Sequence, residues 1–162
     1  MKRNFIAISL IVALNVAVSF MVSTYMSTST VKSDPVVPAQ SFGTAVTATG
    51  LLSTSSTSFA NLPGMTLTTP ILRGGDLIIL FSAESFTSGG AGLTVRCLVD
   101  GVPAQPGEVT MDSDGVEAHA MNFHAPNVGI GMRTVAIQWR RTGAAGSIFV
   151  TERTLAAINV FN

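Results

Sequence analysis

Short strand-like runs separated by turn residues fill residues 43–162, and this pattern constrains the fold more than any other feature. The clearest run is TVAIQWR, in which Val135, Ile137 and Trp139 alternate with residues that face the other way, as in a β-strand. No window of ten or more residues in this region has the 3.6-residue period of an amphipathic helix. The pattern predicts an all-β domain with Trp139 in its core. The eight runs are GTAVTATGLLSTSST, MTLTTPIL, DLIILFSAESF, LTVRCLVDG, GEVTM, VEAHAMNFHA, RTVAIQWRR and SIFVTERTLAAINVF.

Turn signals rich in glycine, proline and aspartate separate these runs. Eight short strands at this spacing are typical of a two-sheet β-sandwich with jelly-roll or Greek-key connections. The signals are Leu62-Pro63-Gly64, Gly74-Gly75-Asp76, Ser88-Gly89-Gly90, Asp100-Gly101, Asp114-Gly115 and Gly143-Ala144-Ala145-Gly146.

A series of segments carries a resemblance to a known class of domain: SFANLPGMTL, GDLIILFSAE, VRCLVDG, RTVAIQWRR and RTLAAINV. Over about residues 42–162 the chain resembles the jelly-roll sandwiches of bacterial surface proteins and phage tail-fibre heads. The resemblance consists of strand patterns and turn glycines. It therefore implies a binding or structural role and supplies no functional residues.

The N-terminal region contains an apolar run, Phe5–Met26, with no charged residue between Arg3 and Lys32. As a helix it would be about 33 Å long at about 1.5 Å per residue, enough to span a hydrocarbon core of about 30 Å. The apolar centre of a cleavable signal is usually shorter, roughly 7 to 15 residues. We therefore expect a retained anchor, with a cleaved signal peptide as the alternative.

The predicted organisation follows from this anchor. Lys2 and Arg3 place residues 1–4 in the cytoplasm by the positive-inside rule. Residues 5–26 then form one transmembrane signal-anchor helix, residues 27–42 an extended linker, and residues 43–162 a β-sandwich in the periplasm or outside the cell.

Two polar residues of the predicted helix, Asn15 and Ser19, fall within about 40° of each other on one face. They either pack against another membrane helix or are simply tolerated in a moderately apolar span.

Composition excludes some functions. Charged residues make up only 11% of the chain, against roughly 25% in an ordinary soluble protein. Beyond Lys32 there are six arginines against nine acidic residues, a net charge of −3, and no lysine. This balance argues against nucleic-acid binding.

Cys97 is the only cysteine, so no internal disulfide is possible, and its place in LTVRCLVDG predicts a small buried side chain.

One acidic segment has the composition of a calcium loop, with Asp112, Asp114 and Glu117 as ligands. It lacks the remaining ligands of a full loop, and Asp-Gly between two strands also predicts a hairpin turn. His119 and His124 are five positions apart and fall on opposite faces of one strand, so they do not form a zinc site together.

No sequence signature of an activated nucleophile or a phosphate-binding loop is present. We therefore expect no enzymatic activity and no cofactor. Arg140 and Arg141, next to Trp139, form either a polar-aromatic patch for a sugar or carboxylate, or a solvated strand end.

The function predicted from these features is that of a single-pass membrane protein. Its outward-facing sandwich would serve as a structural or accessory subunit of a larger complex of membrane proteins, of photosynthetic, respiratory or secretion type. One alternative is a surface adhesin or glycan-binding head. Another is a secreted filament or matrix subunit that assembles by strand addition through VTATGLLSTSST or the terminal INVFN.

Overall fold

The computed structural model describes residues 43–111, 115–143 and 145–161, and these form ten β-strands. All but one of the turn signals in the sequence separate two of these strands. The strands are β1 (Gly43–Ala48), β2 (Leu52–Thr54), β3 (Ala60–Ile71), β4 (Gly75–Thr87), β5 (Ala91–Val99), β6 (Val102–Pro103), β7 (Val109–Met111), β8 (Glu117–Val128), β9 (Gly131–Gly143) and β10 (Ile148–Phe161).

The strands form two antiparallel sheets. Sheet A has the order β1-β10-β4-β8, with the short β2 also paired to β10. Sheet B has the order β3-β9-β5-β6, with β7 also paired to β5. Successive long strands alternate between the two sheets, as in a jelly roll. Sheet B contains β3, β5 and β9, and sheet A contains β4, β8 and β10. The predicted all-β, two-sheet fold is confirmed.

The core lies between the two sheets, and along the regular parts of the long strands every second residue points inward. Val135, Ile137 and Trp139 of β9 are buried, as the alternation predicted. Cys97 is also buried, and burial raises the pKa of its thiol to about 12. The thiol is therefore protonated at neutral pH and acts as a small apolar side chain.

The predicted turn at Leu62-Pro63-Gly64 is wrong, because these residues form an irregularity within β3. Asn61 pairs with Gln138 of β9 and Thr66 with Ala136, so β3 carries extra residues between these two pairs. Pro63 has no N–H for the ladder, and Gly64 has a φ of +78°. Proline and glycine here bend a strand without ending it.

Arg153 of β10, in sheet A, forms a hydrogen bond with the irregular part of β3, in sheet B. Its guanidinium donates hydrogen bonds to the carbonyl oxygens of Pro63 (3.1 Å), Gly50 (2.9 Å) and Thr151 (2.7 Å). The pairing of β10 with β4 is itself interrupted between Val150 and Arg153. One buried cation thus joins three irregular segments of the backbone.

The first predicted run is two strands instead of one. Gly50, with a φ of +91°, lies between β1 and β2. Both strands pair with β10, at Ala48 with Arg153 and at Leu52 with Val150. The terminal segment INVFN, one candidate for strand addition, is already paired with β4 as far as Phe161.

Three connections meet at one end of the sandwich, which we call the loop-tip end. They are the β3–β4 loop (Leu72–Gly74), the β5–β6 turn (Asp100-Gly101) and the β8–β9 loop (Gly129-Ile130). Gly75, the first residue of β4, pairs with Phe161, so the end of β10 lies there as well. Both turn residues of Asp100-Gly101 have positive φ, as a two-residue hairpin requires, and this predicted turn is confirmed.

The chain also enters sheet A from the loop-tip end. Gly43 pairs with Ile158, and β1 then runs antiparallel to β10, away from this end. In the part of the chain that the structure describes, no helix is long and apolar enough to cross a membrane. The predicted anchor at 5–26, with Asn15 and Ser19, and the predicted linker at 27–42 lie outside the described residues.

Candidate functional site

The outer face of sheet A carries an apolar patch at its centre. Ile78 pairs with Ile158, and Leu80 with Ala156, and all four alternate with buried residues of β4 and β10. Leu80 is exposed, while Ile78 and Ile158 are half-buried. We call the whole patch the sheet A face, which consists of Ala45, Ile78, Leu80, Ala156, Ile158 and Val160.

Polar groups border the sheet A face on the side of the loop tips. His124 of β8 lies opposite Ile78, and its Nε2 is 3.0 Å from Oδ2 of Asp76. The other carboxylate oxygen of Asp76 accepts a hydrogen bond from the Asn127 backbone N–H at 3.0 Å. The imidazole and the carboxylate are therefore hydrogen-bond partners beside the apolar patch. Glu84 lies further along β4, on the other side of the patch.

The outer face of sheet B carries a different surface, which we call the Phe59 patch (Phe59, Asn61, Arg96, Gln138 and Arg140). The guanidinium carbons of Arg96 and Arg140 lie 4.0 Å and 4.7 Å from the centre of the Phe59 ring. Arg96 Nε donates to Gln138 Oε1 at 2.9 Å, and Gln138 Nε2 donates to Asn61 Oδ1 at 2.9 Å. The patch is a row of planar polar groups beside an aromatic ring.

Arg140 and Arg141, a possible binding patch in the sequence, face opposite ways in the structure. Arg140 joins the Phe59 patch and forms an ion pair with Glu108 at 2.9 Å. Arg141 points to the opposite side of β9, where its Nε donates to the Ser55 carbonyl at 3.0 Å. Consecutive residues of a strand face opposite ways. No local sequence signal marks Phe59 and Arg96, because they come from distant parts of the chain and are brought to Arg140 by the pairing of β9 with β3 and β5.

The candidate calcium loop falls mostly outside the described residues, which include neither Asp112 nor Asp114. Glu117 is exposed at the start of β8 and pairs with Ser85. His119 and His124 lie on opposite faces of β8, as predicted from their spacing. Within residues 43–111, 115–143 and 145–161, no group of three or more His, Cys, Asp or Glu side chains could hold a metal ion.

At the loop-tip end, a groove of about 440 Å³ opens between the β5–β6 turn and the β8–β9 loop. Apolar side chains of the flanking strands line it, among them Val102 of β6 and Val128 of β8. The turn and the loop are held together by one side chain, Arg133. This guanidinium donates to Asp100 Oδ2 (3.0 Å) and to the carbonyls of Gly129 (2.9 Å) and Ile130 (3.0 Å).

Asp100 is fixed from two directions. Its Oδ1 accepts a hydrogen bond from the Thr134 backbone N–H at 2.8 Å, and its Oδ2 accepts the bond from Arg133. These two hydrogen bonds, the Thr134 bond first, lower the pKa of the Asp100 carboxyl below its usual value. The loop tips are therefore held by an ionised network at neutral pH.

Comparisons with known proteins show the fold. No protein-family model matches the chain, and no curated protein matches it in sequence. Among solved structures, the chain is similar to two structures from infectious bursal disease virus. The structure of the Gx strain has a TM-score of 0.50 and 10% identity, over 75% of this chain and 33% of that chain. The structure of the VP2 subviral particle has a TM-score of 0.49 and 14% identity, with the same coverage. The chain thus spans about a third of the viral chains it matches.

A third structure is the carbohydrate-binding module of Cellvibrio mixtus lichenase 5A in complex with cellotriose. It has a TM-score of 0.40 and 13% identity, over 74% of this chain and 98% of that one. The two-sheet arrangement of this chain and its likeness to the Gx strain structure confirm the resemblance to jelly-roll sandwiches predicted from the sequence. At such low identity the likeness extends to the fold and no further.

Proposed function

We propose that the chain is a non-catalytic, membrane-anchored accessory subunit whose outward-facing β-sandwich binds another protein subunit through the sheet A face. The sheet A face itself carries this proposal. It combines exposed Leu80 and Val160 with half-buried Ile78 and Ile158, and no member of the patch is charged. The centre of a protein interface is depleted of charged residues in the same way, and exposed apolar patches mark interaction sites.

The edges of the patch also fit an interface. The Asp76–His124 pair and Glu84 supply a polar border around an apolar centre, which is the usual arrangement of protein–protein contacts. Strands β4 and β10 pair over nearly their whole length, so the patch sits on a continuous part of the sheet. A partner would meet a surface that is already ordered.

The membrane part of the proposal is supported by the sequence. The apolar run at residues 5–26 is long enough to span a bilayer, and the lysine and arginine before it favour a cytoplasmic N-terminus. The intact mass of the protein extracted from native membranes tests this directly. A mass that includes residues 1–26 supports the anchor, and a mass that begins near Ser29 contradicts it.

The interface is tested by replacing Leu80 with glutamate in the full chain. A carboxylate at the centre of the sheet A face has to be desolvated on binding, so we expect partners to be lost on purification in mild detergent. The matched control is Thr66→Glu, at an exposed position on the outer face of sheet B. A photoreactive crosslinker at Ile158 should capture the same partner. Retention of partners by Leu80→Glu to the same extent as by Thr66→Glu would refute the assignment.

The Phe59 patch favours a second candidate function, glycan binding. Guanidinium and amide groups in one row can donate hydrogen bonds to sugar hydroxyls, and Phe59 offers an apolar neighbour. A glycan array probed with the intact chain and with Phe59→Ala tests it. Binding that disappears in the variant supports the patch, and equal binding by both proteins places the sugar elsewhere.

A further inference from the structure

Exposed large apolar side chains are concentrated at the loop-tip end. Leu72, Val102, Ile130 and Met132 are exposed by 50%, 67%, 69% and 63%. They come from separate segments: the β3–β4 loop, the start of β6, the β8–β9 loop and the start of β9. Because Pro70 pairs with Met132, Leu72 and Met132 lie close together. An exposed apolar surface of this kind is typical of a site that contacts another protein or a membrane.

Among the described residues, few charged side chains lie at this end, and each of them contacts a neighbouring side chain. Arg133 pairs with Asp100 at 3.0 Å, and Asp76 lies 3.0 Å from His124. Arg73 lies beside the Phe161 ring, 5.8 Å from its centre, and is exposed. An apolar surface with the exposed cation of Arg73 at its border suits an interface between apolar chains and phosphates.

The position of Gly43 indicates what covers this surface. Residues 1–42 precede Gly43, and β1 enters sheet A from the loop-tip end. These residues include the predicted membrane span and a linker of about 16 residues, which reaches at most about 55 Å when fully extended. A short linker keeps the domain at high effective concentration near the bilayer. The end of the domain that carries the apolar tips is therefore also the end to which the anchor is joined.

We propose that the loop-tip end docks on the lipid bilayer, with Val102, Ile130 and Met132 inserted among the headgroups and Arg73 next to lipid phosphates. This inference rests on the membrane anchor of the proposed function. Each apolar side chain then leaves water for the boundary between headgroups and acyl chains, about 5–10 Å deep in known interfacial segments. The Arg133 network stabilises the docking surface in advance, because it fixes the β5–β6 turn against the β8–β9 loop.

Docking would also orient the domain. With the loop tips on the bilayer, the strands of sheet A stand away from the membrane and the sheet A face is directed sideways. A neighbouring membrane protein with an outward-facing domain would meet that face. The two surfaces thus have separate partners: lipid at the tips and protein on the sheet.

A nitroxide spin label measures the contact with lipid. The full chain is reconstituted in vesicles of phosphatidylcholine and phosphatidylglycerol, with the label on Ile130→Cys or, as a matched control, on Val116→Cys. Val116 is 64% exposed and lies just before β8, at the opposite end of the sandwich. Cys97 is buried with a raised pKa and does not compete for the label. Flotation of the vesicles first shows whether the chain is bound to the membrane.

Collisions of the label with oxygen, which enters lipid, and with a nickel chelate, which stays in water, then report its position. We expect the Ile130 label to lose collisions with nickel and gain collisions with oxygen, while the Val116 label behaves as in water. A Val102→Cys label should change in the same direction as Ile130.

Three results would overturn the inference. If the chain does not float with the vesicles, both the anchor and the docking fail. If it floats but the Ile130 and Val116 labels have the same accessibility, docking fails and the anchor stands. If the Ile130 label is shielded from both reagents, the loop-tip end contacts protein instead of lipid.

Discussion

Replacing Arg153 with methionine should reveal how much the domain depends on a single buried cation. Arg153 is only 6% exposed, and its guanidinium donates three hydrogen bonds of 2.7 to 3.1 Å to backbone carbonyls. The carbonyls belong to the irregular part of β3, to the β1–β2 connection and to the interruption in β10. Methionine preserves most of the buried stem and removes the donors, so the substitution isolates the guanidinium.

The size of the effect follows from these contacts. A hydrogen bond to a charged group contributes about 1.5–3 kcal/mol, but the buried cation also lost its hydration, which offsets part of the gain. Pro63 and Gly50 are exposed, so their carbonyls can bind water in the variant. We therefore assign about 1 kcal/mol to each bond and about 3 kcal/mol in total. With an unfolding entropy of about 0.25 kcal/mol/K for about 120 residues, the expected fall in Tm is about 12 °C.

Urea and thermal unfolding of a fragment that begins at Ala39 measure this loss, because the fragment retains every described strand. The control is Arg73→Met, the same substitution at an exposed arginine, which should change the free energy of unfolding by no more than about 0.5 kcal/mol. A loss below about 1 kcal/mol in Arg153→Met, or one equal to that of the control, would refute the view that these three bonds stabilise the fold.

Three further predictions follow from buried or fixed groups. Because the pKa of Cys97 is about 12, its thiol should react with Ellman's reagent at pH 8 only after unfolding; rapid reaction of the native protein would contradict its burial. The pKa of Asp100 is lowered mainly by the Thr134 N–H bond. The ionised carboxylate therefore stabilises the fold at pH values above 3.8, the usual pKa of the group, and this stabilisation is lost as the pH falls through the lower pKa of the folded state. Asp100→Asn should therefore be less stable than the native protein at pH 7, by less than about 1 kcal/mol at so exposed a site, and the difference in urea midpoint should vanish in acid. Gly75→Ala should cost about 2–3 kcal/mol because a Cβ there collides with a β10 carbonyl, whereas Gly107→Ala, with open space around it, should be neutral in the same unfolding assay.

The sequence predicted those parts of the fold that depend on local patterns. Alternation in β9 identified the inward-facing Trp139, and the turn at Asp100-Gly101 was recognised because only a few residue types tolerate two consecutive positive φ angles. Local signals were ambiguous at Pro63-Gly64. A proline without an N–H and a glycine with positive φ suit a turn and a strand irregularity equally well. The outcome was decided by β9, which pairs with β3 on both sides of these residues.

The candidate surfaces were harder to predict, because they depend on the pairing of distant strands. Phe59, Arg96 and Arg140 meet only through the register of three strands in sheet B. The sheet A face was hidden for another reason. In DLIILF both faces of β4 are apolar, and an apolar run of this kind is also typical of a strand that is buried on both sides.

The place of β10 in sheet A determines the order in which the domain can be completed. It is the last described strand of the chain, yet it lies between β1 and β4, and among the described strands β1 and β2 pair only with β10. A chain emerging N-terminus first therefore exposes the unpaired edges of β1 and β4 until β10 is available. If that chain is threaded across a membrane, the sandwich closes only after β10 has crossed, and a protein shortened before Ile148 has no complete sheet A.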